Sequence, residues 1–376
     1  MRPFTVVVVF GTRPEAIKMA PVIEALRERS DIRPVVCVTS QHREMLDQVL
    51  DVFGLQPDHD LDVMTHNQEL PDLSAKILTT FDSVLVAERP ELVLVQGDTT
   101  TTFVSSLAAF YRKIPVGHVE AGLRTENRYA PFPEEMNRCL TTRLASIHFA
   151  PTSRNREALL REGIADQDIV ITGNTVIDAL QWTVRRQGFT TSGDHGRRRI
   201  LVTTHRRENW GELLENICLA LRDILDQRGD VEVVLPVHLN PRVRETVQRV
   251  LAGADRVALI EPLDYVSFVA QMAECHLVLT DSGGVQEEAP ALGKPVLVLR
   301  NETERREAID AGTAKLVGPN REAIVRETLR LLDDPDEYER MARAVNPYGD
   351  GQASVRIVGA IVDRFMRGTT MHDVAE

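Results

Sequence analysis

"ELVLVQGDTTTTFVSSLAAFYRKIPVGHVE", residues Glu91–Glu120, decides the fold. Its first run, Leu92–Gln96, is almost wholly apolar and ends in Gly97 and Asp98. A helix-like stretch opened by threonines follows, and a second short apolar run, "IPVGHVE", ends in Glu120. Strands that are apolar at consecutive positions, rather than alternating ones, are buried on both faces, as strands of a parallel sheet are. Two such strands flanking a helix predict a right-handed βαβ unit.

The same rhythm extends outward in both directions. "TVVVVFG" leads to a helix from about Pro14 to Glu28, "PVVCVT" leads to "HREMLDQVLDVF", and "ASIHFAP" and "DIVITG" continue the series. The stretch "RRQGFTTSGDHGRRR", Arg185–Arg199, interrupts it with Gly, Ser, Thr and charge and reads as a linker. A second series then runs through "ILVTTH", "VEVVLPV", "VALIEP", "LVLTDSG", "PVLVLR" and "AKLVG". The expected fold is α/β, with two doubly wound parallel-sheet domains. The N-terminal domain is expected over 1–186, the linker over 187–199 and the C-terminal domain over 200–353. A last helix, within 354–376, is expected to cross back to the first domain. Ligands of open α/β sheets sit beyond the carboxyl ends of the strands, so the cleft between two facing sheets is the expected site.

Composition narrows the partners. At 376 residues the chain is long enough for two ordinary domains, and 43% hydrophobic with 27% charged residues is average for a globular protein. A net charge of −12 argues against nucleic acid or an anionic membrane, although a local basic pocket remains compatible with it. "TVVVVF" is far shorter than a membrane span and no signal-type segment precedes it, which leads to the expectation of a cytoplasmic protein. Cys37, Cys139, Cys218 and Cys275 are scattered without a CxxC pair and read as reduced thiols, not a zinc site.

The strand ends carry the chemistry. In "FGTRPEAIK", Gly11 and Thr12 close the first strand, Pro14 suits a first helical turn, and Arg13 and Lys18 flank it. A helix N-terminus beside two cations attracts an anion, although an ordinary cap with surface cations has the same pattern. In "TDSGGVQEEAPALGKPVLVL", Ser282, Gly283 and Gly284 sit where a strand turns into a helix. Paired glycines there let a backbone approach a diphosphate closely, and Glu287 or Glu288 can accept from a vicinal diol. Asp98, taken by itself, reads as an N-cap ahead of the threonines. "HRREN" places His205, Arg206 and Arg207 at a strand end suited to a phosphate-bearing leaving group, and His238 in "LPVHLNP" lies at a similar one. "HVEAGLRTENRYAPFPEE" adds Glu120 at a strand end and Glu134 after two prolines. Each acid alone has a modest structural reading, but three acids with cations suit acid–base chemistry on a sugar.

Taken in order, "FGTRPEAIK", "QHREMLDQVL", "GDTTTT", "PVGHVEAGLRT", "PFPEE", "ITGNTVIDAL", "HRREN", "PVHLNP", "TDSGGVQEEAPALGKPVLVLR" and "NPYGDG" resemble the bacterial non-hydrolysing UDP-N-acetylglucosamine 2-epimerases, from about Val6 to about Gln352. The resemblance implies a GT-B-like pair of Rossmann-type domains, a homodimer, and reversible interconversion of UDP-GlcNAc with UDP-ManNAc. It implies no redox cofactor, and no metal or other cofactor is expected. Carbon 2 of the sugar has no adjacent carbonyl, so simple deprotonation there is very unfavourable. Anti elimination of UDP to 2-acetamidoglucal, followed by syn re-addition with protonation on the other face, avoids that step.

By resemblance, Asp98, Glu120 and Glu134 form the acidic set, two of them handling the C2 proton on opposite faces. Arg13, Lys18 and His205 would neutralise the departing diphosphate, with Lys18 and His205 counted among the catalytic groups. Ser282, Gly283 and Gly284 would hold phosphate through backbone N–H groups, Glu288 the ribose, and Arg305 and Phe268 the nucleotide side. Gln41, His42, Arg206 and His238 match a site for a second, activating UDP-GlcNAc. Glu44 stands where some relatives have Gln, and Arg306 where "TERPE" is commoner than "TERRE". The product would supply ManNAc for cell-surface polysaccharide.

Three other readings share part of this pattern. A GT-B glycosyltransferase would keep the glycine-rich nucleotide site but needs no acid trio. A hydrolysing epimerase would release free ManNAc and UDP. A nucleotide-sugar sensor would keep Gly283, Gly284 and Glu288 with no use for Asp98 or Glu134.

Overall fold

The computed structural model describes residues 2–40, 43–64, 68–190 and 196–367. The chain divides into two compact units, Met1–Ala179 with Tyr348–Glu376, and Leu180–Pro347. The first contains β1 (Phe4–Phe10), α1 (Arg13–Arg27), β2 (Ile32–Val38), α2 (Arg43–Phe53), β3 (His59–Asp60), α3 (Leu70–Glu88) and β4 (Leu92–Gln96). It continues with α4 (Thr100–Tyr111), β5 (Val116–Val119), α5 (Glu134–Leu144), β6 (Ile147–Ala150), α6 (Ser153–Arg161) and β7 (Ile169–Ile171), and the division falls inside α7 (Thr175–Gln187).

The second unit contains β8 (Arg198–Thr203), α8 (Glu212–Gln227), β9 (Val231–Pro236), α9 (Pro241–Leu251), β10 (Val257–Ile260), α10 (Tyr265–Glu274) and β11 (Leu277–Thr280). Then come α11 (Gly283–Ala291), β12 (Val296–Val298), α12 (Arg306–Asp310), β13 (Ala314–Leu316), α13 (Arg321–Asp333) and α14 (Pro335–Ala342). A final helix, α15 (Ala353–Ile361), belongs to the first unit.

Both sheets are parallel throughout and doubly wound. Their strand orders are β3-β2-β1-β4-β5-β6-β7 and β10-β9-β8-β11-β12-β13. The winding reverses between β1 and β4 and between β8 and β11, where the carboxyl ends of neighbouring strands open a crevice. Val6, Val7, Val8 and Val9 are each fully buried, which explains why β1 carries no polar alternation. In the second sheet Leu277 and Leu279 pack with Ile200, Val202 and the inner faces of α8 and α9.

The linker expected at 187–199 is shorter. Gln187 is the last residue of α7, whose final turn holds Arg185 and Arg186, cations that suit a helix C-terminus. Arg198 and Arg199 already belong to β8, opposite Val231 and Glu232. Charge misled at that edge: Arg199 Nε donates to Glu232 at 2.8 Å, so its side chain is neutralised within the sheet.

One carboxylate fixes the start of the C-terminal helix on the first unit. Asp178, buried in α7, accepts from the backbone N–H of Ala353 (3.1 Å) and Ser354 (2.8 Å) and from Ser354 Oγ (2.6 Å). It therefore satisfies orphan donors at the start of α15, a helix whose Ile357 and Ile361 are fully buried. No described helix is long and apolar enough to cross a membrane.

Two histidines lie side by side in the first sheet, His118 of β5 in register with His148 of β6. Burial pushes His118 from 6.5 down to about 3 and His148 down to about 4, so both are neutral in the folded chain. Above pH 6.5 both states are neutral and these rings contribute nothing to the pH dependence. Below it the unfolded chain takes up protons that the folded chain refuses, so stability falls as pH drops toward about 4. The expected loss is about 2 kcal/mol per ring at pH 5. Melting curves at pH 7.5, 6 and 5 should show a falling Tm; a flat profile across that window would contradict neutral burial.

Candidate active site

The first unit gathers its ionisable groups where β1, β4 and β5 end. Glu120 follows β5 in a left-handed backbone conformation, φ +64°, which costs an L residue roughly 1–2 kcal/mol. Gly122, at φ +92°, holds the same turn against α6, where a Cβ would meet the Asn155 carbonyl oxygen at 2.3 Å. The Glu120 carboxylate is surrounded by donors. Lys18 Nζ lies 2.7 and 2.6 Å from its two oxygens, Asn174 Nδ2 donates to Oε1 at 3.1 Å, and Gln96 Nε2 donates to Oε2.

Asp98 is not the N-cap of α4. That role falls to Thr99, whose hydroxyl accepts from Thr102 N at 3.1 Å. The Asp98 carboxylate is drawn instead to the Arg138 guanidinium of α5. Arg138 also donates to Glu135 at 3.1 Å, and Glu135 in turn accepts from the backbone N–H of Thr125 and Glu126. One buried arginine thus connects a strand-end acid to the loop that carries Arg128 and Tyr129. Glu134, first residue of α5, differs from its neighbours. Its side chain makes no hydrogen bond or ion pair among the described residues, and its Oε2 is buried without a partner.

Near α1, two of the N–H groups expected to face an anion are already taken. Glu15 Oε2 accepts from Gly11 N at 3.1 Å and from Thr12 N at 2.8 Å, while Oε1 accepts from Thr99 Oγ1 at 2.7 Å. Burial raises the Glu15 pKa against these hydrogen bonds. The Arg13 guanidinium makes no ion pair among the described residues and is half-buried.

The second unit builds a separate cluster at the ends of β8 and β11. Ser282 is the N-cap of α11, and Gly283 and Gly284 are its first two residues. A Cβ on Gly283 would lie 3.4 Å from Arg305 Cζ, and one on Gly284 would lie 3.6 Å from Glu288 Oε2. The two glycines therefore leave room for the side chains that flank them. Glu287 and Glu288 fall in the second turn; Glu287 pairs with Arg305 Nε at 2.6 Å, and Glu288 Oε2 lies beside Gly284.

Arg305, Arg300 and Arg206 approach Glu304 at 3.4, 2.7 and 3.5 Å. Burial pushes the Glu304 carboxyl up, but Arg305 and Arg300 outweigh it and hold its pKa at about 2. His205 and Arg206, in the loop after β8, are tied to the same region through Asp281. Arg306 begins α12 directly after Arg305.

Other anticipated residues stand apart. His238 follows β9, accepts from Asn240 N at 3.1 Å and faces Trp210 with 6.3 Å between ring centroids. Phe268 is half-buried in α10. Gln41 and His42 lie outside the described residues, as does the side chain of Glu44. A pocket of about 330 Å³ lined by Arg124, Arg128, Cys139, Arg161 and their neighbours opens in the first unit, and none of the anticipated residues lines it.

Arg138, Gln96, Asn174, Asp281 and Asn209 were missed from sequence. Arg138 alone had a readable signal, since it lies three residues after Glu135 on one helix face.

The sequence and the fold match known proteins closely. A model of the UDP-N-acetylglucosamine 2-epimerase family matches residues 24–362. The UDP-N-acetylglucosamine 2-epimerase of Escherichia coli (strain K12) is 54% identical over 368 residues, covering 95% of this chain and 98% of that protein. The Neisseria meningitidis UDP-GlcNAc 2-epimerase, solved bound to UDP-GlcNAc, gives a TM-score of 0.86 at 49% identity, covering 96% of this chain and 100% of that one. A glycosyltransferase of kitacinnamycin shares the fold alone, with a TM-score of 0.62 at 14% identity, covering 96% of this chain and 100% of that one. Fold and strand-end clusters thus define a GT-B-like enzyme built from two Rossmann-type domains. The chain belongs to the UDP-N-acetylglucosamine 2-epimerase family.

The Arg138 bridge makes a direct prediction. Arg138→Met leaves Asp98 and buried Glu135 without their shared cation, and removing one partner of a buried pair costs about 3–5 kcal/mol. Urea unfolding followed by circular dichroism should show that loss. A midpoint equal to that of the unmodified chain would mean the bridge carries no stability.

Proposed function

We propose that this chain interconverts UDP-GlcNAc and UDP-ManNAc without net hydrolysis. A base takes the C2 proton while UDP leaves C1 in an anti elimination. Bound UDP then adds back to C1 of 2-acetamidoglucal in the syn sense, and a proton reaches C2 from the opposite face. Atoms balance within the site, so no redox cofactor is required. UDP is held by the backbone of Ser282, Gly283 and Gly284, with Glu288 at the ribose and Arg305 and Phe268 on the nucleotide side. Arg13, Lys18 and His205 stabilise the departing diphosphate. The Neisseria meningitidis relative, bound to UDP-GlcNAc, supports that substrate.

The observation that carries this reading is the unequal treatment of three carboxylates. Glu120 is engaged by Lys18, Gln96 and Asn174, and Asp98 by Arg138, whereas Glu134 has no donor among the described residues. Acid–base groups working on two faces of one carbon need different environments, and this arrangement supplies them. Glu134, with an unoccupied oxygen, is the acid best suited to exchange a proton with C2, and Lys18 keeps Glu120 oriented. The family resemblance further supports a homodimer, a second UDP-GlcNAc as activator near Arg206 and His238, and a role in supplying ManNAc for surface polysaccharide.

Incubation with UDP-GlcNAc alone in D2O, followed by NMR, tests the reading. UDP-ManNAc carrying deuterium at C2 is the expected product. Unchanged substrate at saturating concentration would sink the proposal, and free ManNAc with UDP would identify the hydrolysing reaction instead. Glu120→Gln and Glu134→Gln should each slow deuterium incorporation by at least about 100-fold while leaving UDP affinity largely intact.

A further inference from the structure

Asp281 lies in the fold where no carboxylate belongs without a reason. It is fully buried, one residue past β11 and one before the Ser282 cap of α11. Its backbone N–H donates to Thr203 O at the end of the neighbouring strand, 3.2 Å away. The carboxylate reaches across the same strand gap into the loop after β8. It accepts from His205 N at 3.1 Å on both oxygens, from Arg206 N at 3.0 Å and from Asn209 Nδ2 at 3.0 Å. Asn209 is itself fixed, because its amide also donates to Leu299 O at 3.1 Å. The fifth neighbour is the His205 ring, with Nδ1 3.1 Å from Oδ1.

We infer that Asp281 is a positioning residue for the reaction proposed above, holding the His205 imidazole with Nδ1–H turned inward and Nε2 turned away from the carboxylate. An ionised carboxylate only accepts, so a ring nitrogen settled against it must carry the hydrogen. That fixes the tautomer. Nε2, on the opposite side of a ring that is 43% exposed, is then the nitrogen open to a ligand. When it also carries a proton, His205 is a cation for the departing diphosphate; when it does not, Nε2 is an acceptor. Burial alone would favour the protonated acid, but the His205 ring and the backbone donors keep the Asp281 pKa below the ordinary carboxylate value. The same carboxylate holds the backbone of Arg206, so the loop and the ring are set by one group.

The arrangement follows a general pattern in which a buried acceptor behind a working histidine sets its tautomer and orientation. Asp281→Asn keeps the shape but changes the donor pattern. The backbone N–H groups of His205 and Arg206 claim the amide oxygen, so the amide nitrogen faces the ring and Nδ1 must become an acceptor.

The inference rests on the proposed epimerisation for its kinetic arm but not for its spectroscopic one. Protein labelled with ¹⁵N-histidine is followed by long-range ¹H–¹⁵N correlation at high pH, the His205 signals being those missing from His205→Asn. In the unmodified chain His205 should show protonated Nδ1 and unprotonated Nε2, and Asp281→Asn should reverse this. The kcat of Asp281→Asn should fall at least about 100-fold with KM little changed. An Nε2–H tautomer in the unmodified chain overturns the inference. So does a loss of kcat in Asp281→Asn with the tautomer unaltered, which is what a purely structural loop tie would give. If Asp281→Asn does not fold, the tautomer of the unmodified chain decides the matter alone. The expected tautomer in a chain that fails to epimerise UDP-GlcNAc would leave the positioning role standing and remove the proposed function.

Discussion

A parallel strand covered by helices on both faces has nowhere to put a charge except at its ends. In β1, β4 and β11 every residue is buried or nearly so, and the charged groups begin only past the last paired residue of each strand. The helices that follow start there too, with their unpaired N–H groups. Both sheets therefore concentrate carboxylates, cations and free backbone donors along one edge. The rest of each site is a set of local answers to that crowding.

Those answers differ in kind. Glu120 is surrounded by three side chains that arrive from α1, β4 and the start of α7, so its position depends on the packing of the whole first unit. Asp98 is served by one arginine shared with Glu135. Glu15 is consumed by the ends of β1 and α4 and is a structural acid in a motif that also holds Arg13 and Lys18. Engagement by neighbours separates the acids that build the edge from Glu134, whose carboxylate meets no partner among the described residues.

The fold was legible because consecutive apolar residues admit few alternatives. β1, β4 and β11 fall where unbroken valine and leucine runs placed them, and Ser282 with its two glycines begins a helix as that motif demands. Boundaries were harder wherever charge is paired within an element, as with Arg198 and Arg199, whose acidic partners lie more than thirty residues away. The same distance hid the supporting groups. Nothing local to Asn174 or Asp281 announces that one will meet Glu120 and the other His205, because those meetings are made by strand order. Asp98 shows the opposite error: its local sequence favours a cap, and a cation forty residues on in α5 outbids that preference.

The clamp between Asp178 and the start of α15 makes the first unit discontinuous in the chain, since residues 348–376 complete what residues 1–179 begin. During synthesis the second unit is whole once Pro347 has emerged, whereas the face of α1 that α15 covers stays open until Ala353–Ile361 has followed. The cluster at the ends of β8 and β11 can thus form before the first unit is complete. Damage to residues 348–367 therefore falls on the unit that residues 1–179 begin, a liability that position along the chain would not reveal.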